Sequence, residues 1–166
     1  YKEQWKPEVV TIRERYNTRS QEENLPFKPH DINDRGTIIG NTDDSPANLI
    51  IKDGFGTRVI AEGVEGLRDM EAEMSNPDDG LEEIILGERY WRRNTETDRY
   101  GRSNGRLSPD FFAGSVANLA RFPKSWFNIE ATCISANGAI AGTANFYYAG
   151  ERIHRLVGWY LAPIKI

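Results

Sequence analysis

The chain has 166 residues, of which 39% are apolar and 28% charged, and its formal net charge at pH 7 is -4. This length suits one domain with one hydrophobic core, and the aromatic content argues against a disordered chain. No apolar run approaches the ~20 residues of a membrane-spanning helix. The single cysteine excludes an internal disulfide framework and a cysteine-rich zinc site. The acidic balance speaks against a general nucleic-acid coat, which needs a basic face.

We predict that residues 1–46 form an extended N-terminal arm and that residues 47–166 form a single α+β globular domain. The arm is polar and rich in proline, and only Glu8–Tyr16 has the β-branched character of a short strand. Ordering each backbone unit costs ~1 to 2 kcal/mol, so such an arm needs a surface to lie on. The candidate anchors to that surface are its apolar residues Trp5, Phe27 and Ile32.

Two segments of the domain carry signals of helices. From Val64 to Met74, apolar residues recur every three or four positions, which predicts an amphipathic helix. A second helix is predicted to begin at Ser108 as N-cap, followed by Pro109 and Asp110, and to end at Pro123. Its inward-facing residues would be Phe112, Val116 and Leu119.

The remaining patterns indicate strands. Two β-prone runs, Asn48–Lys52 and Thr57–Ala61, predict a hairpin, and the apolar run Ile84–Leu86 favours a buried strand. The C-terminal third predicts a three-stranded meander with a turn at Asn137-Gly138. Alternation places four residues of its first strand on one face (Phe127, Ile129, Ala131, Cys133) and five residues of its last strand on one face (Ile153, Arg155, Val157, Trp159, Leu161). The predicted fold is α+β: an antiparallel sheet or small β-sandwich with two packed helices and extended N- and C-terminal arms.

Residues 89–106 contain six arginines and three aromatic rings, which suits binding to a partner or an anion. Upstream, residues 62–83 hold nine acids against one arginine. Pairing of these two blocks, within the fold or between subunits, is favoured over contact with nucleic acid. The candidate binding residues are Arg89, Trp91, Arg92, Arg93, Arg99, Tyr100, Arg102 and Arg106.

Motifs of catalytic or metal sites are weak. The stretch "GRSNG" has the form of a nucleophile elbow at Ser103, but polar loop residues precede it where an elbow needs a buried strand. Cys133 could pair with His154, yet its alternation with apolar residues favours a buried core position. The stretch "DINDRG" resembles the start of a calcium loop but has Arg35 and Thr42 where ligands are required. We expect no metal site and no cofactor.

The sequence therefore predicts a non-catalytic structural or interaction subunit of a larger protein assembly, with a virion or phage particle as one candidate. Its partners would be subunits of the same or a larger assembly. The first alternative is a nucleic-acid-binding module that uses the stretch Arg89–Arg106. The second is a small hydrolase that uses Ser103 or Cys133 with His154. Because the chain opens on Tyr1 rather than Met, we expect a processed or trimmed product. An intracellular or virion location is favoured.

Overall fold

The computed structural model describes residues 11–15, 22–54, 56–77, 80–94, 111–148, 150 and 152–163. These residues form three antiparallel sheets. The first sheet has five strands in chain order: β1 (Thr11–Arg15), β2 (Glu22–Ile32), β3 (Ile38–Thr42), β4 (Ala47–Asp53) and β5 (Gly56–Val64). The second, or middle, sheet has four strands: β6 (Glu73–Met74), β7 (Leu81–Leu86), β8 (Arg89–Asn94) and β9 (Phe111–Ser115). The third is the C-terminal meander of β10 (Phe127–Ile134), β11 (Ile140–Tyr147) and β12 (His154–Leu161).

The sheets stack as three layers, with the four-stranded sheet in the middle. One face of β7 presents Ile84 and Leu86 to a core shared with the five-stranded sheet. The other face presents Ile85 to a second core, which the C-terminal sheet completes. Alternation along a strand sends successive side chains to opposite faces, so a strand buried on both sides reads as a continuous apolar run. The prediction of a buried strand at Ile84–Leu86 is confirmed.

The prediction of an α+β fold with two packed helices is wrong. The fold is mostly β, and no helix of seven or more residues occurs among the described residues. In the described part of the chain, short 3₁₀ helices span Leu67–Asp69 and Val116–Asn118. The described residues also contain no helix long and apolar enough to cross a bilayer.

The first predicted helix fails because side chains of β2 take the amide hydrogens that an α-helix would use. The Ala72 N–H donates to His30 Nδ1 at 2.9 Å, and the Met74 N–H donates to Asp31 Oδ2 at 2.8 Å. In a helix, both amides would donate to carbonyls four residues earlier. Gly66, with φ 76°, also lies outside the right-handed helical region. The apolar spacing that predicted the helix instead supplies Val64, Leu67 and Met74 to the first core.

The second predicted helix is replaced by β9, which pairs with β8 from Arg89↔Ser115 to Arg93↔Phe111. The apolar run after Asp110 suits either structure, and pairing satisfies the second edge of β8. The start signal at Ser108–Asp110 lies outside the described residues. Of the residues predicted to face inward, Val116 is fully buried, Leu119 packs against the second core, and Phe112 is 41% exposed.

The hairpin predictions are confirmed. The strands β4 and β5 pair through Ile51↔Arg58 and neighbouring positions. The meander pairs β10 with β11 and β11 with β12, and its first turn lies at Asn137-Gly138. There the Gly138 N–H donates to the Ser135 carbonyl.

Much of the predicted N-terminal arm belongs to the five-stranded sheet. The strand β2 pairs with β3, and β3 pairs with β4 through Ile39↔Ile51. Ladder hydrogen bonds come from the backbone, so a polar segment can be ordered by strands of its own chain. The order of residues 22–42 therefore requires no foreign surface, although the domain boundary at residue 46 stays a prediction. The predicted C-terminal arm continues past β12 at Ala162 and Pro163, and residues 164–166 lie outside the description.

Polar ties join the five-stranded and middle sheets through the same "DIND" stretch that imitates a calcium loop. The side chains of His30, Asp31, Asn33 and Asp34 hydrogen-bond to residues 72–76. No cluster that could hold a metal ion occurs among the described residues. Besides the two bonds from Ala72 and Met74, Asn33 Nδ2 donates to the Ser75 carbonyl (3.3 Å) and Asn76 Nδ2 donates to Asp34 Oδ2 (2.7 Å).

Candidate protein-interaction surface

The C-terminal sheet leaves one edge and one face open among the described residues. The strand β12 is the last in the order β10-β11-β12, so its outer edge pairs with no described strand. Its eight residues, "HRLVGWYL", include no proline and no lysine. Natural sheets commonly blunt an edge by shortness, charge or proline. This edge has a charged residue only near its start, at Arg155.

Alternation along β12 separates a buried face from an open one. Val157, Trp159 and Leu161 pack with the second core, and the Trp159 Nε1–H donates to the Thr143 carbonyl at 2.8 Å. The intervening Leu156 and Tyr160 point the other way and are 69% and 65% exposed. The sequence correctly grouped Arg155, Val157, Trp159 and Leu161 on one face of the strand, although Arg155, near its start, is exposed. Ile153 precedes the strand and is 75% exposed.

A cluster of three rings covers the far end of the same open face. Phe127 and Tyr147 stack with centroids 5.3 Å apart, and His154 packs edge-on against both rings. The register explains this meeting, because Phe127 pairs with Asn145 in β11 while Tyr147 pairs with His154 in β12. We call the surface formed by Phe127, Tyr147, His154, Leu156 and Tyr160 the outer face.

The other sheet edges are better protected against pairing with a further strand. The five-stranded sheet ends in β1, whose sequence "TIRER" is highly charged, and in β5, which contains both arginine and glutamate. The middle sheet ends in β6, of two residues, and β9, of five. At the far side of the C-terminal sheet, β10 is joined to the middle sheet by the Ala131 N–H, which donates to the Gly87 carbonyl at 2.8 Å. Among the described strands, β12 thus combines a long open edge with exposed apolar side chains.

The arginine-rich stretch is divided by the fold. Its first six residues form β8, in which Trp91 and Arg93 are buried at 3% and 4% exposure. Arg89 lies over the Trp91 ring, and Arg92 lies over the Phe112 ring at 4.8 Å from the guanidinium carbon. The other candidates, Arg99, Tyr100, Arg102 and Arg106, lie outside the described residues. Because Trp91 and Arg93 are buried, their side chains are not placed to bind an external anion.

Pairing of the acidic and arginine blocks within the fold is confirmed at one buried site. Arg93 Nε donates to Glu82 Oε1 at 2.9 Å, and Arg93 Nη1 donates to Asp53 Oδ2 at 3.0 Å. Asn33 Nδ2 donates to the second oxygen of Glu82 at 2.8 Å. The register places Glu82 opposite Arg93 on adjacent strands, so the two charged side chains are close neighbours across the strand pair. This network joins the middle sheet to the five-stranded sheet.

The hydrolase alternative is not supported by the placement of its residues. Cys133 is exposed, because a bulge between Ala131 and Cys133 adds one residue and turns Ile134 inward in its place. The expectation of a buried thiol is therefore wrong. Cys133 pairs with Ala141, whereas His154 pairs with Tyr147, so the two residues lie near opposite ends of the sheet. At ~3.3 Å per residue, that separation is roughly 20 Å. Ser103 lies outside the described residues.

The predicted arm anchors have different positions. Phe27 is buried at 7% exposure and packs with Ile50 on the outer side of the five-stranded sheet, together with Ile38 and Val59. Ile32 is 60% exposed at the end of β2. Trp5 lies outside the described residues.

The sequence reasoning missed the outer face, although its signal was present. Once Val157, Trp159 and Leu161 are assigned to the core, alternation places Leu156 and Tyr160 outside. The predicted meander gave the order of these three strands, but the sequence could not show that no other described strand pairs with β12. Comparisons with protein-family models, curated proteins and solved structures return no match to this chain.

Proposed function

We propose that this chain is a non-catalytic subunit of a protein assembly and that it associates with further copies of itself through β12 and the outer face. The observation that carries the proposal is the outer edge of β12, which pairs with no described strand and is flanked by the exposed side chains of Leu156, Tyr160 and Tyr147. Exposed apolar side chains beside open backbone donors and acceptors favour strand addition. The narrower idea of a virion or phage particle stays a prediction from the sequence.

The β12 strand is complementary to itself in an antiparallel arrangement. If two copies meet with Gly158 at the two-fold axis, Leu156 of one strand lies opposite Tyr160 of the other on the outer face. On the inner face, Val157 then lies opposite Trp159 of the second copy. A glycine at the axis leaves room for this approach, since no atom lies within 3.9 Å of the position that a Cβ would occupy at Gly158. Cross-strand pairs of aromatic and aliphatic residues stabilise such contacts.

The experiment is sedimentation velocity over a wide range of protein concentration. We expect the mass of the unmodified chain to rise with concentration, and we expect Leu156→Asp and Tyr160→Asp each to weaken association by about tenfold or more, because each would bring an unpaired charge into the contact. Both residues are exposed in the single chain, so their substitution should leave the fold intact.

The matched control is Ile32→Asp, which introduces the same charge at a residue of similar exposure on the opposite outer sheet. This variant should associate like the unmodified chain. A chain that stays monomeric at every concentration would contradict the proposal. Equal weakening by Ile32→Asp and Leu156→Asp would show that the effect is one of net charge and not of this surface.

A further inference from the structure

A small cavity of about 150 Å³ lies between the middle and C-terminal sheets. Its walls are mainly apolar and come from five places: β7, the residue after the second 3₁₀ helix, the β10–β11 turn, the start of β11 and the end of β12. The residues that line it are Glu83, Leu119, Gly138, Ile140, Leu161 and Ala162.

The polar side chain in this lining is the carboxyl group of Glu83, which is 3% exposed. Its Oε2 accepts a hydrogen bond from the Tyr90 hydroxyl. Its Oε1 is directed at Gly138, 2.5 Å from the position that a Cβ would occupy there, and accepts no hydrogen bond from the described residues. A buried oxygen without a donor is costly, and it marks a place where a ligand's donor would be favourable.

The charges around Glu83 leave its carboxylate poorly compensated. The charged or titratable groups that face it are Tyr90 and Arg92, both on β8, while the other cavity-lining residues have no titratable side chain. Burial raises the pKa of Glu83, and this effect outweighs the hydrogen bond from Tyr90 and the positive charge of Arg92, both of which lower it. A further cation would therefore be stabilising at this carboxylate.

We propose that the cavity binds a small primary alkylammonium ion, with its ammonium group at Glu83 Oε1 and its alkyl chain against Leu119, Ile140 and Leu161. An apolar cavity of roughly this volume can hold a molecule the size of benzene, and a butyl chain is no larger. The apolar walls select the alkyl chain, and the buried carboxylate selects the charge. This site is independent of the self-association proposed above.

The test is titration of the full chain with butylammonium at about pH 8, followed by the amide NMR signals of Gly138 and Leu119. We expect saturable shifts, an affinity at least about tenfold higher than that for uncharged butanol, and a loss of about tenfold or more in Glu83→Gln. Affinity should fall as the pH is lowered towards the raised pKa of Glu83, because protonation of its carboxylate removes the countercharge while the alkylammonium stays charged.

A second variant, Ala162→Phe, places a ring at the cavity without altering the carboxyl group. Ala162 is exposed, so the fold should tolerate the change, and butylammonium binding should weaken while the unfolding midpoint stays near that of the unmodified chain. Butanol binding as tightly as butylammonium would overturn the proposal, as would unchanged affinity in Glu83→Gln. Absence of shifts at both amides, which is the result expected if only water fills the cavity, would overturn it as well.

Discussion

At the scale of single residues, neighbouring acids of β7 face opposite sides of the middle sheet. Glu82 meets Arg93 and Asn33 in the first core, where its carboxylate is paired. Glu83 meets Tyr90 in the second core, and burial together with Glu83 raises the pKa of the Tyr90 hydroxyl. One glutamate therefore stabilises through an ion pair, while the other is held in an environment that favours its neutral form.

The pH dependence of stability should reveal this difference at Glu83. Its folded-state pKa is raised above the ordinary value of 4.5, so the stability it contributes is present at low pH and is lost as the pH rises through the folded-state pKa. Glu83→Gln keeps an acceptor for Tyr90 and does not titrate. We expect urea unfolding to show that the variant gains stability relative to the unmodified chain between about pH 4 and pH 7. A difference that stays constant over this range would contradict the assignment.

The buried ion pairs of Arg93 give a second residue-scale prediction. Arg93→Ala removes the guanidinium group that is paired with the buried carboxylates of Glu82 and Asp53, and breaking a buried pair in this way costs about 3 to 5 kcal/mol. The control is Arg89→Ala on the same strand, which removes an exposed guanidinium near the Trp91 ring and should cost less than ~1 kcal/mol. Unfolding free energies from urea titration provide the measurement, and equal losses in the two variants would refute the role given to Arg93.

At the scale of elements, strands were predictable where local signals agree with burial, as in the β4–β5 hairpin and the C-terminal meander. The two predicted helices do not form. The structure of these segments depends on partners that lie far from them in the sequence. The apolar spacing after Val64 satisfies helix periodicity, yet His30 and Asp31, about forty positions earlier, capture the amides of Ala72 and Met74. Alternation along the sequence likewise does not predict the bulge at Thr132, which exposes Cys133.

Two glycines of the C-terminal sheet give a matched test of close packing between strands. A Cβ at Gly142 would lie 2.0 Å from the Glu130 carbonyl oxygen and 2.4 Å from the Trp159 ring, whereas a Cβ at Gly158 would meet no atom closer than 3.9 Å. Gly142→Ala should therefore destabilise by about 1 to 3 kcal/mol or more, and Gly158→Ala should be tolerated in the single chain. Thermal unfolding followed by tryptophan fluorescence would check this. Similar midpoints for the two variants would refute the packing described at Trp159.

At the scale of the whole molecule, the sequence anticipated an antiparallel β-rich core but not its division into three layers. The acidic and arginine blocks pointed to pairing, and the fold realises it between Glu82 and Arg93 on adjacent strands. The polar N-terminal arm predicted from the sequence favours an assembly, yet β2 and β3 pair with strands of their own chain. The case for assembly depends on the outer face and on the edge of β12, because only the structure shows that no other described strand covers this edge.

The most direct test of that case is amide hydrogen exchange along β12, measured at low and high protein concentration. The account predicts that amides between His154 and Leu161 become more protected as concentration rises, because a second copy supplies partners to the open edge. Amides of β5, the edge of the five-stranded sheet, serve as the internal reference and should not change. Exchange in β12 that is independent of concentration, or protection that rises equally in β5, would contradict the account.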